Sequence, residues 1–276
     1  MFTQLINSGD VSGGYKVVAA YAQGSPDIPS AIKMRPQITE AVKNMGVEIV
    51  DSIADLLTKV DVVLLETNDG RPHYEQALPV LQAGKRMFID KPVAHNLKDA
   101  QRIYAASRQY GTPIFSSSAL RYEENILKST SGEYGQVLGA DVYTPAALDP
   151  QHLDMSWYGI HGVEMLFTLM GTGCIEVIRT HSADADVITG RWNDGRIATV
   201  LGIRQGAANI AGTAFCEKAI VPIGPFTTYK QLVEEILKFF DTGIVPVSAE
   251  ETLEIFRFME AADRSKKSKR FEKLYK

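Results

Sequence analysis

Arg86-Met87-Phe88-Ile89-Asp90-Lys91-Pro92 is the stretch on which the fold turns. It reads as a short apolar strand that stops at a carboxylate, a lysine and a proline. In open α/β sheets ligands bind at the carboxyl ends of strands. A lysine fixed there, followed by a residue that locks the backbone, suits a reactive site better than a solvated surface. Taken alone, the stretch is more simply a strand exit with a surface lysine, and the neighbouring sequence decides between the two.

Upstream, strand-like and helix-like segments alternate. Tyr15–Tyr21 is β-branched and apolar and predicts a buried strand. Pro36 can open a helix that reaches about Met45, with Gly46 as its stop. Val47–Val50 is a short strand, and Ser52 with Asp55 resembles a capping box for a helix through Leu57. Asp61–Thr67 is a second buried strand, and His73–Ala83 is a helix ended by Gly84. Downstream of Asp90, Asn96 and Asp99 cap a helix to Tyr110 that Gly111 ends, and Pro113–Leu120 is one more strand. This alternation implies parallel βαβ units, a doubly wound Rossmann-type α/β domain over residues 1–122.

From residue 123 to 276 the rhythm changes to an α+β pattern. Val137–Thr144 is strand-like, and Tyr158–Met170 is a helix stopped by Gly171. Strand patterns follow at Cys174–His181, Asp186–Trp192, Ile197–Arg204, Asn209–Phe215 and Ala219–Ile223, with a hairpin turn at Asn193-Asp194-Gly195. Thr228–Phe240 and Ala249–Ala262 are helices, the second capped by Ser248 and Glu251. Strands without intervening helices predict an open, mostly antiparallel sheet covered on one face. A cleft between the two domains is the default site.

Bulk properties exclude several function classes. The 276 residues are 45% hydrophobic and 22% charged, as in ordinary folded proteins. A net charge of −4 gives no electrostatic case for nucleic acid or an anionic membrane. No apolar run is long enough to span a bilayer. Phe2–Ile6 is too short, and lacks the basic flank, for an export signal, so a cytoplasmic location is expected, with export left open if the chain is truncated. Cys174 and Cys216 have no metal spacing and read as buried thiols in a reducing compartment. The basic run from Arg264 to Lys276 reads as a solvated tail or a fraying helix end.

With these residues in order, the chain resembles the glucose–fructose oxidoreductase/inositol dehydrogenase/MocA (Gfo/Idh/MocA) family. Asp90-Lys91-Pro92 is similar to its Glu/Asp-Lys-Pro motif, and Ala83-Gly84-Lys85 to its helix-to-strand junction. Thr67-Asn68 through His73 resembles its loop after the fourth strand, with one extra residue. Arg121-Tyr122 sits where the family has an Arg-aromatic pair, and Gly159-Ile160-His161 resembles its Gly-x-His. Glu250-Glu251-Thr252, with Ala261-Ala262 and Ser265, resembles its C-terminal helix. Each motif alone is weak, but together they cover nearly the whole chain in order. The resemblance implies oxidation or reduction of sugars, polyols or related compounds with NAD or NADP. It implies cofactor contacts from Thr67, Asn68, His73, Asp90, Lys91 and Pro92. It also implies, with the open sheet, a homodimer or homotetramer.

Moving hydride from a carbinol requires removal of the hydroxyl proton and stabilisation of charge on oxygen. His161 can take that proton near neutral pH, and Lys91 can hydrogen-bond the same oxygen as orienting group and proton partner. From the residues alone, His161 is more simply a core histidine bonded to backbone. Family dehydrogenases usually carry an aspartate four residues before this histidine, where this chain has Trp157. Glu164, one helical turn after His161, partly compensates or is a solvated helix acid. Trp157 and Tyr158 form either an aromatic wall for a sugar ring or ordinary packing. Arg121 is either a substrate contact or an interdomain salt bridge. His152, Asp154, His161 and Glu164 invite a metal reading, but no metal-site spacing is complete. His152 is therefore grouped with the substrate candidates. Ser116-Ser117-Ser118, near a strand end, carries hydroxyls for ligand or for local backbone.

A doubly wound dinucleotide domain begins with a strand and a Gly-x-Gly-x-x-Gly turn. Gly9, Gly13 and Gly14 lack that spacing, and Phe2–Ile6 reads as the end of the first helix. The first strand and phosphate loop, roughly fifteen to twenty residues, are expected to be missing by truncation. As given, the chain should then bind dinucleotide weakly or not at all. No acid sits at the tip of the strand ending at Tyr21; Asp27 arrives late, and Gly24-Ser25 would tolerate the 2′-phosphate of NADP. The leading function is an NAD(P)-dependent oxidoreductase. The alternatives are a non-catalytic relative that binds or assembles and, behind it, a metal-assisted sugar enzyme.

Overall fold

Met87, Phe88 and Ile89 are fully buried and form the middle strand of a parallel sheet. The computed structural model describes residues 1–11 and 13–275. In chain order its elements are α1 (Phe2–Asn7), β1 (Ala19–Tyr21), α2 (Pro29–Asn44), β2 (Glu48–Val50), α3 (Ile53–Leu57), β3 (Val63–Leu65), α4 (His73–Gln82), β4 (Met87–Asp90), α5 (Leu97–Tyr110) and β5 (Ile114–Ser117). A 3₁₀ turn (Ala119–Tyr122) leads to α6 (Glu124–Thr130), β6 (Val137–Pro145), α7 (Ile160–Met170), β7 (Cys174–His181), β8 (Ala185–Trp192), β9 (Ile197–Ile203), β10 (Ala211–Cys216), β11 (Ile220–Ile223), α8 (Lys230–Thr242), α9 (Ala249–Ser268) and β12 (Glu272–Lys273).

Two compact units result: residues 1–117 with 228–248, and residues 118–227 with 249–275. The single boundary expected at residue 122 thus differs from the packing, because α8 returns to the first unit. That helix buries Leu232, Val233, Ile236, Leu237, Phe239 and Phe240. The Phe239 ring meets Phe115 edge-on at 5.0 Å, and Phe115 meets Phe88 at the same distance. Such edge-on contact matches the opposed charges of ring face and rim.

The first unit holds two parallel sheets, β1–β2 and β3–β4–β5. Its caps follow the sequence: Ser52 accepts the N–H of Asp55, Asn96 accepts that of Asp99, and Gly111 closes α5 in the left-handed conformation. The strands are shorter than the apolar runs suggest: β1 is the last three residues of Tyr15–Tyr21, and β3 the middle three of Asp61–Thr67. Helix α2 begins at Pro29, not Pro36, which lies inside it. Proline is favoured at a first helical position, where no partner for an N–H is needed. The strand expected through Leu120 ends at Ser117, where Ser118 caps the 3₁₀ turn.

In the second unit the described strands form one sheet in the order β11–β10–β6–β9–β8–β7–β12. Only β6 and β9 run parallel. Ala140, Val142, Ile188, Ala198, Val200 and Ala214 are buried on one face. The C-terminal run is not a solvated tail: α9 continues through Ser268, and β12 pairs with β7 and brings Leu274 into the core. Lys276 lies outside the described residues. Among the described residues no helix is long and apolar enough to cross a membrane.

Candidate active site

In the first unit the candidate residues gather in the loops that leave β1, β3 and β4. Asp90 ends β4 in register with Ser117 of β5. The following Lys91–Pro92 peptide is cis. Burial pushes the Asp90 carboxyl up, while the charge and backbone N–H of Lys91 and the charge of His73 pull it back. The loop after β4 is pressed against the loop after β3. A Cβ on Gly70 would stand 2.4 Å from the carbonyl carbon of Ala94, so only glycine fits. His73, fully buried at the start of α4, lies between the same loops. Its Nδ1 is 3.1 Å from the Val93 carbonyl oxygen and its Nε2 is 2.7 Å from that of Thr67. Burial pushes this imidazole below its ordinary value, against the pull of those two carbonyls. His73 therefore fastens the loops by their backbones. Thr67 and Lys91 are half-buried and Asn68 is exposed on this surface, with Pro92 buried beneath.

A clasp that the sequence reading missed joins the loops after β1 and β3. Arg71 bonds Asp69 through Nε (2.9 Å) and Asp27 through both terminal nitrogens (2.8 and 2.7 Å). Ser25 donates its hydroxyl to the fully buried Asp69. The Ser25 hydroxyl, expected near the cofactor, is thus engaged inside the protein. The hydrogen bonds that Arg71 donates to Asp69 and Asp27 outweigh the cost of its burial and raise its guanidinium further above its ordinary value. The acid-and-arginine pair two residues apart, Asp69 and Arg71, was the available signal in the sequence.

In the second unit His161 lies in the first turn of α7, and its Nδ1 is 2.8 Å from Oγ of Ser118. Glu164, one turn on, accepts the backbone N–H of Ser118 (2.7 Å) and Nε of Arg121 (2.6 Å) through the same oxygen. Arg121 also reaches Glu251 on α9 and Thr168 on α7. Burial pushes the Glu164 carboxyl up, and Arg121 and the Ser118 N–H oppose that rise. From the sequence, Glu164 and Arg121 are substrate candidates, with a salt bridge as the alternative for Arg121. Both are buried, and this ion pair engages them inside one unit. A buried charge needs such a partner to avoid an unpaid desolvation cost.

The His152–Glu164 stretch does not converge. His152 bonds Asp149 (2.7 Å) and stacks its ring 4.7 Å from Trp157. Asp154 joins Arg179 (2.7 Å) and Lys266 (2.8 Å) in an ionic network with Asp186 and Asp263. Tyr158 is exposed, with its ring 6.3 Å from that of His161. Among the described residues no group of three or more histidine, cysteine or carboxylate side chains is placed to hold a metal ion.

Comparison with known proteins bears on these sites. The profile of an oxidoreductase family with an NAD-binding Rossmann fold, Gfo/Idh/MocA, matches residues 6–117. The chain is 28% identical over 129 residues to 1,5-anhydro-D-fructose reductase of Ensifer adhaerens, a match over 45% of this chain and 36% of that protein. The chain spans 24%, 36% and 32% of three curated oxidoreductases it matches. Its fold is similar to that of a probable dehydrogenase from Thermotoga maritima, with a TM-score of 0.80 at 19% identity over 99% of this chain and 95% of that one. It is also similar to scyllo-inositol dehydrogenase from Lactobacillus casei with bound NAD(H) and scyllo-inositol, with a TM-score of 0.78 at 14% identity over 100% and 95%.

Proposed function

We propose, from the match of residues 6–117 to the Gfo/Idh/MocA family of oxidoreductases, that this protein moves hydride between NAD or NADP and a sugar, polyol or related carbinol. The observation that carries the proposal is the family match running through Asp90-Lys91-Pro92 at the carboxyl end of β4. What supports this reading is that the loops after β3 and β4 meet at strand ends, where doubly wound sheets bind ligands, and Gly70 permits that approach. Thr67, Asn68, Lys91 and the Asp90–Pro92 backbone would hold the dinucleotide. When bound, the nicotinamide takes or gives the hydride, and the carbinol becomes a carbonyl or the reverse.

This chain's residues manage the proton. In the oxidation, His161 receives the hydroxyl proton while the C–H electron pair leaves as hydride, and in the reduction it returns that proton. Lys91, in the loop after β4, offers an ammonium that can steady charge developing on an oxygen. Tyr158 and Trp157 supply apolar surface for the face of a ring. In this reading the first unit, residues 1–117 with 228–248, serves the cofactor, and the second serves substrate and assembly. The sheet face opposite α7 and α9 presents exposed apolar residues in two rows: Ile220, Phe215 and Ile197 aligned through Gly139, and Tyr143 and Val187 on either side of Leu201. That face supports a homodimer or homotetramer, and a cytoplasmic location goes with the same reading.

A panel of polyols and sugars with NAD or NADP, followed by nicotinamide absorbance, tests the activity. Turnover that disappears in His161→Ala and in Lys91→Ala supports it. Trp157, in place of an orienting acid, favours a second reading as a non-catalytic binding protein. Cofactor binding without turnover of any panel member would favour that reading.

A further inference from the structure

We propose that Ser118 is a positioning residue for His161: its hydroxyl oxygen accepts the Nδ1–H of the imidazole and so assigns proton transfer to Nε2. The inference rests on the acid/base reading of His161. A ring that has taken a proton at Nε2 carries N–H groups on both nitrogens, and the Nδ1–H then needs an acceptor. With tryptophan at position 157, no carboxylate supplied from that point can provide it. Ser118 Oγ stands 2.8 Å from Nδ1 instead.

The serine is held firmly enough for this task. Its backbone N–H is bound by Glu164 at 2.7 Å, and its Oγ accepts the N–H of Leu120 at 3.2 Å. Glu164 is anchored in turn by Arg121 at 2.6 Å, and Arg121 by Thr168 at 3.0 Å. Ser118, Glu164 and Arg121 are 1%, 4% and 5% exposed, so water competes little for these bonds. The arrangement orients the ring as a carboxylate would, through a neutral hydroxyl whose backbone is pinned by a carboxylate.

The test uses the cofactor-free protein labelled with ¹⁵N-histidine. Only five histidines contribute, and His161→Gln assigns the signal of interest. The expected spectrum of neutral His161 has a protonated Nδ1 and a bare Nε2. Ser118→Ala should move it toward the Nε2–H tautomer, and Ser118→Thr, which keeps the hydroxyl, should preserve it. A wild-type ring already protonated at Nε2, or a spectrum unmoved by Ser118→Ala, would overturn the proposal. If Ser118→Ala fails to fold, the wild-type and Ser118→Thr spectra still decide. In turnover, Ser118→Ala should lower kcat roughly tenfold or more with KM little changed. Failure of nicotinamide-dependent turnover would overturn the functional reading while leaving the tautomer result intact.

Discussion

Arg121 and Glu164 meet across 2.6 Å in the second unit, each with only 5% of its side chain exposed. Removing the cation strands a buried carboxylate, so Arg121→Ala should cost about 3–5 kcal/mol of stability. Arg121→Lys should not restore it, because one ammonium cannot reproduce the fork that reaches Glu164, Thr168 and Glu251. Denaturant unfolding with the midpoint and slope fitted separately measures this. Wild-type stability in Arg121→Lys would show that charge alone suffices.

Gly70→Ala should damage the first unit without touching a polar group. The new Cβ would meet backbone atoms of Ala94 and His95 at 2.4 to 2.7 Å, and backbone cannot swing aside as a side-chain tip does. Part of the strain should appear as a lower melting temperature and part as weaker cofactor binding, since both loops must separate. A variant with unchanged melting and unchanged NADH binding would refute the role given to this contact.

The ionic network around Arg179 predicts a loss of stability in acid. Burial alone pushes the Asp154 and Asp186 carboxyls up, but bonds from Lys266 and Arg179 to the first, and from Arg179, Arg204 and His181 to the second, outweigh it and hold both below the usual range. A carboxyl depressed in the fold stabilises above its ordinary value of about 3.9, and that contribution is lost as pH falls through the depressed value. Asp263 opposes this, since burial and Asp154 raise it. Thermal unfolding in steps below about pH 4 should show a falling midpoint. Arg179→Met should start lower at neutral pH and lose less on acidification; an unchanged acid slope would contradict this.

The sequence carried the elements whose signals are local. Ser52, Asn96, Gly111 and Gly171 fix helix ends through their own side chains or conformations, and Asn193-Asp194-Gly195 fixes a hairpin. Features set by distant partners were not legible. Strand β12 consists of two polar residues that pair only because β7 presents an edge. Helix α6 was missed for another reason: it is short and mostly polar, and only the local cap from Glu123 marks it. At the site, His161 and Lys91 stood out by residue type, whereas the partnership of His161 with Ser118 joins residues 43 positions apart. For Arg121 a substrate contact and a salt bridge both stayed open, because a sequence does not reveal that Arg121 and Glu164 bury each other.

The central claim is that this chain holds a nicotinamide cofactor at the loops around Lys91. Titration of the protein with NADH and with NADPH, read by nicotinamide fluorescence, tests it most directly. The account predicts saturable binding of at least one of the two, weakened by Lys91→Ala. Fluorescence of both cofactors that stays unsaturated and indifferent to Lys91→Ala would contradict it.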